Sequence, residues 1–168
     1  MAVMNSSTVN NEGWDEFLKK IKNDFKNIEF VESNKNSYSS EGSKIYYKPK
    51  KTFLESASSL LHELGHLESQ HKSYTTDIEL LIMETEAWDK AKRLSKKYNI
   101  KIENNHIEDC LDSYRDWLHK RSTCPTCTQN GIQKEVLKYA CINCGQIWQV
   151  SKSRFCRTYR IKNTLPIK

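Results

Sequence analysis

Residues 52–70 read TFLESASSLLHELGHLESQ. Ala57, Leu60, Leu61 and Leu64 recur at helical spacing and form one apolar stripe. Thr52 with Glu55 three residues later has the pattern of a capping box, so a helix is predicted over about Thr52–Gln70. Inside it lies His62-Glu63-Leu64-Gly65-His66. Residues four apart on a helix share a face, so His62 and His66 can offer imidazole nitrogens to one zinc ion. Glu63, between them, is the candidate catalytic base. It would take a proton from a zinc-bound water and later deliver it to the leaving amine. The chemistry implied is hydrolysis of a peptide or related amide bond. The bland alternative is a pair of surface histidines flanking a helical glutamate.

Toward the N-terminus, Trp14, Phe17, Leu18, Ile21 and Phe25 predict a helix over Gly13–Asn27. Ile28–Val31 alternates as a short strand, and 33–43 is a turn-rich loop. Lys44–Lys48 reads as a second strand, ended by Pro49. That strand is expected to form a sheet edge beside the cleft, where substrate backbone could add. Residues 1–12 are polar and expected to be disordered. They lack a basic-then-apolar leader, so a cytoplasmic, reducing location is expected. No stretch approaches the roughly 18 apolar residues of a membrane span.

Toward the C-terminus, a helix is predicted over Asp77–Tyr98, capped by Thr76 or Asp77, and another over Asn105–Lys120. A catalytic zinc needs a third protein ligand and an open position. His71 follows His66 by five residues with no Gly between, one residue short of the metzincin spacing. The next helix carries Glu84-Thr85-Glu86-Ala87-Trp88. Residues two apart point about 200° apart on a helix, so only one of these glutamates can face the zinc. Leu80, Met83, Ala87, Ala91, Leu94 and Tyr98 share one side, and Glu84 borders it. Glu86 lies with Glu79, Lys90, Arg93 and Lys97 on the polar side. A carboxylate at the edge of a buried stripe needs a partner. Glu84 is therefore the expected ligand and Glu86 the alternative.

A His-Glu-x-x-His helix followed by a helix bearing Glu-x-Glu-Ala resembles the gluzincins, in particular the small cytosolic ones of the ImmA/IrrE type and minimal zincins generally. The resemblance covers roughly residues 44–98. It implies a small sheet with an active-site helix and following helices, and it maps the third zinc ligand to Glu84. Many relatives carry Asp or Asn where this chain has Trp88, which removes a polar group that would orient a ligand.

Cys124-Pro-Thr-Cys127 and Cys141-Ile-Asn-Cys144-Gly145 are two Cys-x-x-Cys turns separated by thirteen residues. Four thiolates so spaced can close a structural zinc site, and Val136–Ala140 and Gln146–Val150 are the expected strands of a zinc ribbon. Cys110 is expected to be at least half-buried on its helix, and Cys156 to be an exposed thiol. A zincin followed by a zinc ribbon also resembles the SprT-like proteases, which act on DNA-associated proteins. Those enzymes use a third His where Glu84 is inferred here.

Net charge is +6 and unevenly placed. From Lys120 onward ten Lys and Arg face one acid, Glu135, leaving 17 basic and 20 acidic residues before it. A mildly acidic body with a basic end suggests an anionic partner, most often nucleic acid. Lys152, Arg154, Arg157 and Arg160 are the candidate contacts, with Trp148, Phe155 and Tyr159 interleaved and Lys120, Arg121, Lys134, Lys138 and Lys162 nearby. A solvated basic tail is the alternative.

The whole reads as an α+β chain: 1–12 disordered, 13–121 a minimal zincin-like metallopeptidase domain, 122–150 a zinc ribbon, 151–168 a basic tail. Two zinc ions are expected, one catalytic and one structural. The expected function is hydrolysis of peptide bonds in an intracellular, DNA-associated or regulatory protein, with no membrane partner. Two other readings compete: a nucleic-acid- or protein-binding adaptor with an inactive or regulatory zincin domain, and a zinc hydrolase of a non-peptide amide.

Overall fold

The computed structural model describes residues 11–49 and 52–162. Of the segment 1–12 expected to be disordered, residues 1–10 lie outside the described residues, as does the end of the basic tail beyond 162, whereas Asn11 and Glu12 belong to the first helix. Within them the chain is mixed α+β, with four helices and two small sheets. Two compact units emerge: one of residues up to Lys72 with Met83–Ile107, the other of Ser73–Ile82 with Glu108 onward.

In the first unit α1 (Asn11–Asp24) is followed by β1 (Glu29–Glu32), β2 (Ser37–Ser39) and β3 (Lys44–Tyr47). Next come α2 (Phe53–Glu68) and the greater part of α3 (Asp77–Lys97). Trp14, Phe17, Leu18 and Ile21 bury one face of α1, and Ile45 and Tyr47 alternate inward from β3. The predicted stripe of α2, Ala57, Leu60, Leu61 and Leu64, is wholly buried. Ala87, Trp88, Ala91 and Leu94 of α3 complete this core. Phe17 stands edge-on to Phe53 and to Tyr98, at ring-centroid distances of 5.7 and 5.9 Å. Thr52 caps α2 by accepting from the Glu55 N–H at 3.2 Å.

The sheet order is β1-β3-β2, with β1 parallel and β2 antiparallel to β3. This corrects the sequence reading twice. Ser37–Ser39 is a strand and not part of a loop, and Lys44–Tyr47 is the paired centre of the sheet and not its edge. A central strand has no free backbone ladder to offer a peptide. The edge strand packed on α2 is β2.

In the second unit the body of α4 (Asn104–Ser122) joins the first turns of α3 and a four-stranded antiparallel sheet in the order β4 (Gly131–Glu135), β5 (Lys138–Cys141), β6 (Ile147–Val150), β7 (Arg160–Lys162). Sequence patterning anticipates β5 and β6 but misses β4 and β7. Trp148 is fully buried and donates its indole N–H to the Arg121 carbonyl at 2.9 Å. Gly131 makes room for it, since a Cβ there would stand 2.4 Å from the Trp148 ring.

Thr76 and Glu79 cap α3 reciprocally: the Thr76 hydroxyl accepts from the Glu79 N–H, and the Glu79 carboxylate accepts from the Thr76 N–H. Asp77 is thereby free for another role. Its carboxylate accepts from Arg121 Nε at 2.5 Å and from the Tyr139 hydroxyl at 2.5 Å. Arg121 also donates to the Ser151 carbonyl and is only 1% exposed. Arg121 therefore belongs to a buried ion pair and not, as its place in a basic run suggested, to an anion-binding surface.

Candidate functional site

A close contact between α2 and α3 positions the polar cluster of the first unit. Gly65 on α2 abuts the backbone of Ala87 on α3 so closely that a Cβ at Gly65 would lie 2.1 Å from the Ala87 carbonyl oxygen. Only a residue without a side chain allows this approach. His62 and His66 lie within one turn of that contact on α2, and Glu84 lies one turn before Ala87 on α3.

His62 Nε2 stands 3.1 Å from Glu84 Oε2 and 3.1 Å from His66 Nε2, and His66 Nε2 stands 3.7 Å from Glu84 Oε1. Ligand atoms held tetrahedrally at zinc distances are about 3.3 Å apart, so these three groups are spaced as a metal requires. The carboxylate is 9% exposed and the imidazoles 12% and 13%. Burial first, then the neighbouring His62, pushes the His66 imidazolium down to about 4, against a smaller upward pull from Glu84. His66 is thus a neutral ring at neutral pH, the form that ligates metals. Glu63, the next residue after His62, is buried in the same helix.

Glu86 and His71 meet each other outside this trio, and His71 touches its His66. His71 Nε2 is 3.0 Å from Glu86 Oε2, and His71 Nδ1 is 2.8 Å from His66 Nδ1. The end of α2 explains the geometry. Gln70 takes the left-handed conformation at φ +55°, with Gln70 N–H donating to the Leu67 carbonyl and His71 N–H to the His66 carbonyl. This Schellman turn folds His71 back onto His66. Trp88 packs its ring on His62, with centroids 4.4 Å apart, and His106 stands edge-on to Trp88 at 5.6 Å. His62 Nδ1 is buried without a hydrogen-bond partner.

In the second unit Cys124, Cys127, Cys141 and Cys144 bring their sulfurs within 4.8 Å of one another. Cys124 and Cys144 are 3.7 Å apart, and Cys127 and Cys141 3.4 Å, against about 3.8 Å for sulfurs tetrahedral on zinc. The two turns are built alike. Cys124 N–H donates to Gln129 O and Thr128 N–H to Cys124 O; Cys141 N–H donates to Gln146 O and Gly145 N–H to Cys141 O. The Gln129 N–H and the Asn143 amide lower Cys127 to about 6. The Gln146 N–H pulls Cys144 down as well, yet Cys127, burial and the other sulfurs carry it up to about 12. A cation bound by the four sulfurs would remove this conflict by holding each thiol as thiolate.

No protein-family model, curated protein or solved structure matches the chain.

Of the basic candidates, Arg154, Arg157 and Arg160 gather with Lys120, Ser113 and Trp117 around one cavity of about 450 Å³. Lys152 is not on its lining. Arg154 lies 3.9 Å over the Tyr114 ring. Trp148 is buried, whereas Phe155 and Tyr159 are exposed. Cys110 is half-buried and Cys156 exposed. Sequence reasoning placed Lys120 beside the tail's cations but missed Trp117, because its place on α4 gives no sign of what folds over it. Among the described residues no helix is long and apolar enough to cross a membrane.

Proposed function

We propose that this chain is a zinc-dependent metallopeptidase of gluzincin type, related in plan to the ImmA/IrrE-like and SprT-like minimal zincins, with a C-terminal zinc ribbon. One observation carries the reading: His62 Nε2, His66 Nε2 and a Glu84 carboxylate oxygen converge within 4.8 Å. His62, His66 and Glu84 would hold the catalytic zinc, and the four cysteines a structural one. A zinc ion held there would supply Lewis acidity at the substrate carbonyl and would lower the pKa of its bound water to about 7. The Glu63 carboxylate accepts the proton that the attacking water gives up. It then returns that proton to the amide nitrogen as the C–N bond breaks. Trp88 shields the His62 side from solvent. The edge strand β2, beside α2, offers its outer backbone ladder to an extended peptide.

The substrate class is peptide or protein. The basic cavity favours a partner carrying phosphodiesters, because four cations converge there with no carboxylate on the lining. The adaptor reading rests on the same cavity and is separated by the role of Glu63. A library of random peptides, digested by zinc-loaded protein and read by mass spectrometry, should show cleaved bonds with wild type. Glu63→Gln should show none while keeping its zinc. No cleavage by zinc-loaded wild type, or equal cleavage by Glu63→Gln, would refute the peptidase reading. Binding to a single-stranded oligonucleotide should weaken with salt, and Arg157→Ala or Arg160→Ala should lower the salt slope by roughly 0.7 each. A slope unchanged by both variants would remove nucleic acid as the partner.

A further inference from the structure

We propose that His71 and Glu86 form a positioning pair that fixes the His66 ring with its proton on Nδ1, leaving Nε2 bare and aimed at the metal position. The inference rests on the metal-centre reading above and adds two residues to it.

The hydrogen-bonding roles follow in sequence from the outer end. An ionised Glu86 carboxylate can only accept, so His71 Nε2 must donate across the 3.0 Å contact. A neutral His71 protonated on Nε2 has a bare Nδ1. That nitrogen lies 2.8 Å from His66 Nδ1, and one of the two must carry the proton. It is His66 that donates. His66 Nε2 is then left with its lone pair, 3.1 Å from His62 Nε2 and 3.7 Å from Glu84 Oε1, where a shared cation would bind all three. A carboxylate behind a ligating histidine is a recurrent way to fix tautomer and ring orientation. Here a second histidine is inserted between them.

Both ring nitrogens of His71 are spent on this chain, which gives it a role other than third ligand. The same contact gives Glu86 a use that its place on the polar side of α3 did not suggest. The pair is graded in burial: the His71 side chain is 8% exposed and the Glu86 side chain 58%. The His66–His71 bond is therefore shielded, while the His71–Glu86 bond competes with water. His71 should matter more than Glu86. His62 has no such support, since its Nδ1 is buried without a partner and its ring is held by packing on Trp88. The two histidines are thus held by different means, His66 by hydrogen bonds and His62 by shape.

Two measurements test this. In metal-free protein at pH 8, long-range proton–nitrogen NMR should find His66 protonated on Nδ1 and His71 on Nε2. A His66 protonated on Nε2 would overturn the proposal. In zinc competition against a chelator, with the cysteine site filled, His71→Leu should weaken the remaining site about 10- to 100-fold. His71→Gln, whose side-chain carbonyl can accept from Nδ1–H, should recover most of that loss. Glu86→Ala should cost less than His71→Leu, and nothing further in its background. A folded His71→Leu of wild-type affinity, or losses that simply add, would overturn the positioning role. Wild type without zinc at His62, His66 and Glu84 would overturn the metal centre itself and the positioning role with it. Zinc held there but indifferent to His71 would overturn only the pair.

Discussion

Replacing Gly65 by alanine sets two effects of opposite sign against each other. Alanine is the better helix former, worth about 1 kcal/mol over glycine in a helix interior. Against it, the new Cβ would stand 2.1 Å from the Ala87 carbonyl oxygen, 2.8 Å from its carbon and 3.0 Å from its Cα. These are backbone atoms of a packed helix and cannot rotate away. Ordinary contact begins near 3.4 Å, so α2 and α3 must part locally by about 1.3 Å. Overpacking of this kind costs about 1–3 kcal/mol. The upper end applies because Ala87 is wholly buried and has no slack, so a net loss of about 2 kcal/mol is expected. The functional effect is larger. Glu84 moves with α3, and its oxygen retreats from 3.1 Å to more than 4 Å from His62 Nε2. Metal geometry tolerates about 0.2 Å. Urea unfolding should show the destabilisation, and chelator competition at least a tenfold loss of zinc from the His site alone. Gly13→Ala is the control: nothing lies within 4 Å of a Cβ there, so it should stabilise by up to about 1 kcal/mol. A Gly65→Ala protein as stable as wild type with unchanged zinc affinity would refute the close-approach argument.

Three further outcomes are expected. Asp77→Ala leaves the Arg121 guanidinium buried at 1% exposure without its carboxylate, and should destabilise the second unit by about 3–5 kcal/mol in denaturant unfolding. A cost below about 1 kcal/mol would mean that Arg121 finds water. Gln70→Gly relieves a side chain held at φ +55° and should stabilise by about 0.5–1 kcal/mol with His-site affinity unchanged, since the turn itself is kept. A loss of stability would contradict the turn's assigned conformation. Stripping metal from the four cysteines should abolish amide-exchange protection in β4–β6, where the core is little more than Cys124, Tyr139, Cys141, Trp148 and Val150. Protection that survives chelation would show that this core stands without a cation.

How much of this is legible in the sequence depends on whether the deciding partner is local. The α2 stripe and the Thr52 cap are set within a few residues of each other, and both stand as read. The apolar arc of α3 likewise separates Glu84 from Glu86, because 200° on a helix is a local property. The strands β2 and β7 are different. Ser37-Tyr38-Ser39 and Arg160-Ile161-Lys162 have little strand character of their own and are extended because β3 and β6 offer them ladders. Arg121 looked like one cation in a basic run. Its carboxylate partner is 44 residues away in sequence, so nothing nearby announces the burial. The His71–Glu86 contact depends on one left-handed residue, Gln70, at a position where glycine would have been the readable signal.

Metal content tests the central claim most directly. Protein purified without added metal should carry two zinc ions per chain. Glu84→Gln should carry one, and Glu86→Gln should still carry two. One zinc in wild type, unchanged by Glu84→Gln, would contradict a metal centre at His62, His66 and Glu84.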